Sequence, residues 1–342
     1  MKQSTFIILL VATGLSVAAA MTAAGLRSGS SQQAGAGEPF VGNLGENMNA
    51  VASISLQSNS DKTELVRKGD QWVLGGDLAG YPASNIEVRD LLVGLADSRK
   101  LEAKTALEDR FAKLQVNDVT DPGAEGKRVT IRNQGGDVLA DLIVGKAWFG
   151  QVGLDKTGRY VRALDDDRAW LTVGDLAVGA RVRDVVDTKI IPAITQDDVR
   201  RVTVSHPDGH ELVVEREKPE DSFTLVDKPA DRELRSPVIT GSFANALQSM
   251  TLETVLPASA VTFDPAKTVM LVAETFDGGI VILKLQNDGD QSVLAVEGLH
   301  PAGRTADEKT GINRSRWLYQ VPKWRYDDLT KQMKDMLAEP TS

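Results

Sequence analysis

The chain has 342 residues, 42% of them hydrophobic, which is enough to bury two sizeable cores, so disorder is not its default state. Acids outnumber bases 48 to 39 for a net charge of −9, and no cluster of Lys and Arg interleaved with aromatics reverses that sign locally, which argues against nucleic acid as a partner. Cysteine is absent, which removes disulfides, thiolate metal sites, cysteine nucleophiles and a lipidated N-terminal cysteine, and is compatible with export to an oxidising compartment.

Lys2 precedes an uncharged run from Gln3 to Leu26, apolar from Phe6 and closed by Arg27. A bilayer takes about 20 residues, so 1–27 has the length of an N-terminal transmembrane helix. Phe6 to Leu15 followed by Ala18-Ala19-Ala20 also fits the short apolar core and small-residue site of a cleavable signal peptide, and the pattern alone leaves both readings open. The charge bias for orientation, Lys2 against Arg27, is weak. Residues 28–48 are Gly, Ser, Gln, Ala and Asn with almost no large apolar side chain, the composition of a flexible linker.

From Val51 to Glu102 the chain lays out three strands and a helix, and Arg201 to Glu253 repeats the order. Ser53-Ile54-Ser55-Leu56, Glu64-Leu65-Val66 and Trp72-Val73-Leu74 are matched by Arg201-Val202-Thr203-Val204, Glu211-Leu212-Val213-Val214 and Phe223-Thr224-Leu225. Period-two alternation bounded by Gly, Asp and Asn predicts half-buried antiparallel strands. Ser84 and Glu87 predict a reciprocal capping box, and Ser236-Pro237 places a proline at the first helical position. Behind these starts, Val88, Leu91, Leu92 and Leu95 share one helical face, as do Ile239, Phe243, Ala246, Leu247 and Met250.

The echo continues. Arg128-Val129-Thr130-Ile131, a Gly135-Gly136-Asp137 turn and Val138 to Val144 match Val269 to Val272, an Asp277-Gly278-Gly279 turn and Ile280 to Leu285. Tyr160-Val161-Arg162 and Val293 to Val296 follow, then Trp170-Leu171 and Trp317-Leu318, each predicted to lead into a closing helix. Between these stretches, a short helix is predicted around Leu107 to Leu114, a helical or extended segment from Val182 to Ile191 ends at Pro192, and Thr195 to Asp198 reads as a hinge. Leu329, Met333, Met336 and Leu337 predict a terminal helix. The expected fold is α+β: two tandem repeats of antiparallel β-sheet with packed helices, 49–195 and 196–342, preceded by an N-terminal transmembrane helix.

No catalytic, cofactor or metal site is expected. His206 and His210 flank Pro207-Asp208-Gly209, a tight turn that points both rings to solvent, and His300 precedes Pro301 in a polar stretch. Asp165-Asp166-Asp167 lacks the alternating ligands and terminal glutamate of a calcium loop and reads as a turn. Gly145-Lys146 lacks the leading glycine and following hydroxyl of a phosphate loop, and neither G-x-S-x-G nor G-x-G-x-x-G occurs. Asn313-Arg314-Ser315 matches a glycosylation acceptor by a pattern common by chance. Trp72, Trp170 and Trp317, two of them at matching places in the repeat, read as core anchors rather than a sugar platform.

Gln71-Trp72-Val73-Leu74, Tyr81-Pro82-Ala83 before a helix running to Leu101-Glu102, Leu142-Ile143-Val144-Gly145, Arg159-Tyr160-Val161-Arg162 and Arg183-Asp184 together resemble the bacterial family grouped as domain of unknown function 4340. The stretch Glu108 to Leu114 departs from it, with Phe111 and Leu114 but no glycine where the family carries a tyrosine-glycine-leucine turn. The resemblance implies a retained anchor in the bacterial inner membrane, a folded part in the periplasm, and an accessory role beside ABC-type transport systems, with no catalytic residues to carry over. The expectation is a non-enzymatic binding protein whose partners are ABC transporter subunits or another envelope protein. The alternative is an envelope hydrolase acting on glycan or peptide through carboxylates such as Asp165, Asp208 or Asp277.

Overall fold

The computed structural model describes residues 36–149, 157–191, 194–289, 291–300 and 316–339, with the backbone alone at 299 and 300. The expected transmembrane helix and residues 28–35 of the expected linker lie outside them. Among the described residues no helix is long and apolar enough to cross a membrane.

The fold has the two antiparallel sheets expected and is mostly β, with fewer helices than the α+β reading implied. The first sheet contains β1 (Val51–Gln57), β2 (Lys62–Lys68), β3 (Gln71–Leu74), β4 (Arg99–Thr105), β5 (Lys127–Asn133), β6 (Val138–Trp148), β7 (Gly158–Ala163) and β8 (Ala169–Val173). The second contains β9 (Val199–Ser205), β10 (Glu211–Glu215), β11 (Thr224–Leu225), β12 (Thr254–Pro257), β13 (Val269–Thr275), β14 (Ile280–Asp288), β15 (Gln291–His300) and β16 (Trp317–Val321). Their orders are β3-β2-β1-β5-β6-β7-β8-β4 and β11-β10-β9-β13-β14-β15-β16-β12, the same permutation advanced by eight strands. The repeat read from the sequence is therefore present in the topology.

The register makes the equivalence residue by residue. Ile54 faces Ile131 and Leu56 faces Val129 in one sheet; Val202 faces Ala273 and Val204 faces Leu271 in the other. Both ladders slip at the same end, between Val51 and Ser53 and between Glu274 and Thr275, and both then turn through a left-handed glycine, Gly136 at φ 88° and Gly278 at φ 83°. The core-facing positions Ile54, Leu56, Val129, Ile131, Ala140 and Leu142, and Val202, Val204, Leu271, Ala273, Val281 and Leu283, are all buried.

Helix α1 (Asn85–Asp97) buries the predicted Val88, Leu91, Leu92 and Leu95. Only half of its capping box forms: the Glu87 amide donates to Ser84 Oγ at 3.3 Å, but the Ser84 amide donates to the Val185 carbonyl at 2.7 Å instead of to Glu87. Helix α2 (Phe111–Leu114) follows a 3-10 turn, Glu108–Arg110, as expected near Leu107 to Leu114. In the second repeat the chain after Pro237 first makes a 3-10 turn, Ile239–Gly241, and then α3 (Ser242–Gln248), which buries Phe243, Ala246 and Leu247. The terminal helix is split into α4 (Lys323–Leu329) and α5 (Met333–Met336). After β8 there is no matching helix, only the 3-10 turn Val182–Asp184.

Three further expectations change. The first helix stops at Asp97 and β4 follows, where continuation to Glu102 was expected. Tyr319, not Trp317, is the register equivalent of Trp170: Trp170 faces Val161, which faces Val144, and Tyr319 faces Leu294, which faces Leu285. Part of the expected linker is folded, since the Gly37 amide donates to Lys100 O at 2.7 Å, Lys100 N to Glu38 O at 2.9 Å and Phe40 N to Ser98 O at 2.8 Å, while Val41 and Leu44 are buried. This short arm satisfies the open edge of β4, whose alternating charges otherwise discourage pairing with another chain.

By contacts the described chain forms two compact units, 36–60 with Arg89–Val178 and Asp61–Val88 with 179–339, a division distinct from the repeat boundary. In the second of these, Tyr81 meets the Trp317 ring edge-on at 5.5 Å and Thr63 Oγ1 donates to Ala180 O at 2.7 Å.

Candidate functional site

Of the residues weighed for chemistry, His206, Asp208 and His210 share one hairpin turn, while Asp165 to Asp167 and Asp277 lie in two others. His206 closes β9 and is half-buried, its Nε2 3.4 Å from the Lys331 carbonyl, so it is not the solvent-facing ring expected; its backbone pairs with His210 across the hairpin. His210 is exposed, with Nδ1 3.1 Å from Asp208 Oδ1. The His210 amide and ring hold Asp208 below the usual carboxylate range. His300 is the last residue of β15 rather than part of a loop, and its side chain lies outside the described residues, as does Asn313-Arg314-Ser315.

Asp166 makes the predicted turn, with its carboxylate accepting from the Arg168 amide at 3.0 Å and from Trp170 Nε1 at 3.3 Å, between exposed Asp165 and Asp167. Asp277 accepts from Thr275 Oγ1 and the Gly279 amide in the β13–β14 turn. Asp208 and Asp277 stand at opposite ends of the β9–β13 ladder, because Ser205 faces Met270 and Val199 faces Thr275. At about 3.3 Å per residue that separation is on the order of 20 Å, whereas paired hydrolytic carboxyls stand about 5–10 Å apart. Asp165 belongs to the other compact unit. No group of three or more potential metal ligands occurs among the described residues.

Gly145-Lys146 has a packing role. A Cβ on Gly145 would collide with the Leu114 carbonyl and lie 2.8 Å from Val116 Cγ1, so glycine is what lets the chain after α2 lie on β6. Lys146 Nζ sits 5.7 Å from the Tyr160 ring centre. Trp72, Trp170 and Trp317 are all buried, as core anchors should be.

Among the described residues a cleft of about 750 Å³ in the second repeat is lined by Asp197, Arg216, Asp221, Phe223, Val238 and Ser242 among others. Arg216 follows β10 and is buried. Its Nε donates to Val199 O at 2.9 Å, one terminal nitrogen to Gln196 O at 2.7 Å, the other to Pro219 O, and its plane lies 4.5 Å from the Phe223 ring centre and 5.6 Å from that of Phe276. The cation is thus committed to backbone carbonyls and aromatic faces, which shapes the cleft wall and leaves it ill-suited to hold an anion. In the sequence Arg216 lies between two glutamates and reads as surface charge. Nothing short of the fold brings Phe223 and Phe276 to it.

No curated protein and no solved structure matches this chain. The family model described as Domain of unknown function (DUF4340) matches residues 72–268, more than half of the chain and reaching across both repeats, and the chain belongs to that family.

Proposed function

We propose that the chain is a membrane-tethered, periplasmic accessory protein that binds a subunit of an ABC-type transport system without catalysing a reaction. The observation that carries this reading is the duplicated eight-stranded sheet, which doubles an extended surface and keeps the Asp208 and Asp277 carboxyls at opposite ends of one ladder. Among the described residues the carboxyls with displaced titration, Asp118, Asp208 and Asp288, are held down by hydrogen bonds, opposite to the shift a general acid needs.

The uncharged run Gln3 to Leu26 supplies the transmembrane helix in this reading, and the family resemblance supplies the transport association. Residues 37–40 are held along β4 only ten positions after Arg27, a separation that a chain spans in at most about 36 Å. The folded part therefore works close to the membrane. Purification of the full chain from membranes in mild detergent, with identification of its N-terminus and bound proteins, should return Met1 or its des-Met form together with transport subunits. A soluble chain beginning after Ala20, or a membrane chain free of transport subunits, would contradict the proposal.

A further inference from the structure

The two repeats differ where the β2–β3 and β10–β11 hairpins meet the helix that follows them. Pro39 bridges Arg99 in the first copy and Lys189 bridges Thr251 in the second, with Phe40 N donating to Ser98 O at 2.8 Å and Ile190 N to Met250 O at 3.1 Å beside them. Arg99 and Thr251 are therefore counterparts. Counting back without a gap pairs Val88, Leu91 and Leu95 with Thr240, Phe243 and Leu247, all buried, and pairs Asn85 with Pro237. Trp72 and Phe223 match likewise, since Leu74 faces Leu65 and Leu225 faces Val214.

In the first copy Asn85 joins hairpin to helix. Its Oδ1 accepts from the Trp72 amide at 3.0 Å, its Nδ2 reaches the Asp70 carbonyl at 3.5 Å, and Ala83 N donates to Trp72 O at 2.9 Å. Pro237 has no side-chain donor or acceptor to repeat this. The link between the strands lengthens from Gly69-Asp70 to 216–223, and Arg235, the counterpart of Ala83, donates to Met336 O at 2.9 Å instead. Between 216–223 and 236–242 stands the cleft of about 750 Å³, a volume usual for ligand sites. Thr224 pairs with Glu215 and Val226 N donates to Val213 O, so the N–H and C=O of Phe223 point away from β10. The carbonyl accepts from Thr240 Oγ1 at 2.7 Å. The amide, on a residue only 7% exposed, has no hydrogen-bond partner among the described residues, although buried amides are ordinarily paired. Ser242 Oγ, on the same wall, is also buried without a partner.

We infer that this cleft binds a short basic peptide segment of a partner protein, which supplies in trans the acceptor that Asn85 supplies in the first copy. The inference rests on the accessory-protein reading and names a site for it. An amide oxygen meets the Trp72 N–H, and an amide oxygen, from backbone or side chain, is what the Phe223 N–H calls for. The occupant's charge follows from the wall. Asp197, Glu220 and Asp221 carry no ion pair among the described residues, and Arg216 beside them already has its nitrogens on backbone carbonyls. A Lys or Arg side chain is therefore favoured there, and a phosphate or free carboxylate is repelled. Pro237 and Val238, the latter 79% exposed, give the rim apolar contact.

The probe is a phage-displayed library of random hexapeptides panned on the full-length protein in detergent, and the selected sequences should be enriched in Lys and Arg. A labelled synthetic copy of the commonest sequence should bind saturably, crosslink to the Val238→benzoylphenylalanine protein and slow hydrogen exchange at the Phe223 amide. Binding should weaken at least tenfold for the Asp197→Lys, Glu220→Lys protein and hold for Asp165→Lys, Asp167→Lys, which makes the same change of net charge at exposed sites in the other repeat. All four substituted positions are exposed, so thermal unfolding should stay within a few degrees of the parent. Selected peptides without basic residues, equal weakening by the two charge reversals, or an unchanged Phe223 amide would overturn the inference. Panning needs no transport subunit, so this site and the transport association fail separately.

Discussion

Arg128, Thr130 and Asp141 in the first sheet and Met270, Val272 and Ile282 in the second occupy the same rungs of the same ladder, yet one set is an ion-pair cluster beside a folded cover and the other is apolar. On the opposite face the two sheets agree position by position. The core face of a repeat is held to apolar side chains by burial, since each large residue there removes about 1.5–3 kcal/mol worth of apolar surface from water. The far face carries no such demand and is free to specialise. In one repeat those rungs carry a hydrogen-bonded ion pair; in the other the same rungs carry apolar side chains.

The comparison can be attacked first through the cores, where the effects are largest. Leu142→Ala and Leu283→Ala, fully buried equivalents, should each cost about 2–5 kcal/mol in denaturant unfolding. A near-neutral result at either would mean that the two cores are not equivalent. Next, Gly145→Ala should destabilise by about 1–3 kcal/mol, because its Cβ meets the Leu114 carbonyl and neither backbone can give way cheaply. Hydrogen exchange should locate that loss in the 106–126 cover and leave 258–268 unchanged.

A smaller effect is expected from Thr130→Val. It removes one part-buried hydrogen bond to Asp141, worth about 1 kcal/mol, and should leave the Arg128–Asp141 pair in place. The smallest concerns acid. Thr120 holds Asp118 down through its amide at 2.9 Å and hydroxyl at 2.7 Å. A depressed carboxyl contributes stability that is full above the ordinary aspartate pKa of about 3.9 and is lost as pH falls through the lower folded value. Asp118→Asn should therefore flatten the acid limb of stability slightly, with the change confined to the first repeat's cover; an unchanged limb would show that this turn does not titrate with the fold.

Much of the architecture was legible because burial writes a period-two pattern into each copy: Ile54 and Leu56, Val202 and Val204 announce their strands. β4 was not legible. Its sequence, Arg99 to Thr105, alternates charges with small residues because it is an edge strand, and such a pattern continues a helix as readily as it makes a strand. The capping box at Ser84 failed for a tertiary reason, the nearer Val185 carbonyl. The equivalence of Trp170 with Trp317 was two residues out, since matching aromatic identity is a weaker guide than ladder register. The contrast between the far faces was beyond reach of the linear chain, because it exists only once the rungs are known: Thr203, Val213, Val272 and Ile282 are scattered over eighty positions before the sheet gathers them.

The account rests on a chain that is held at the membrane and binds a transport subunit there. The most direct measurement is the amount of transport subunit recovered from membranes in mild detergent with the full-length protein, beside a mock purification from cells lacking it. Recovery should be enriched at least tenfold over the mock; equal recovery from both would contradict the account.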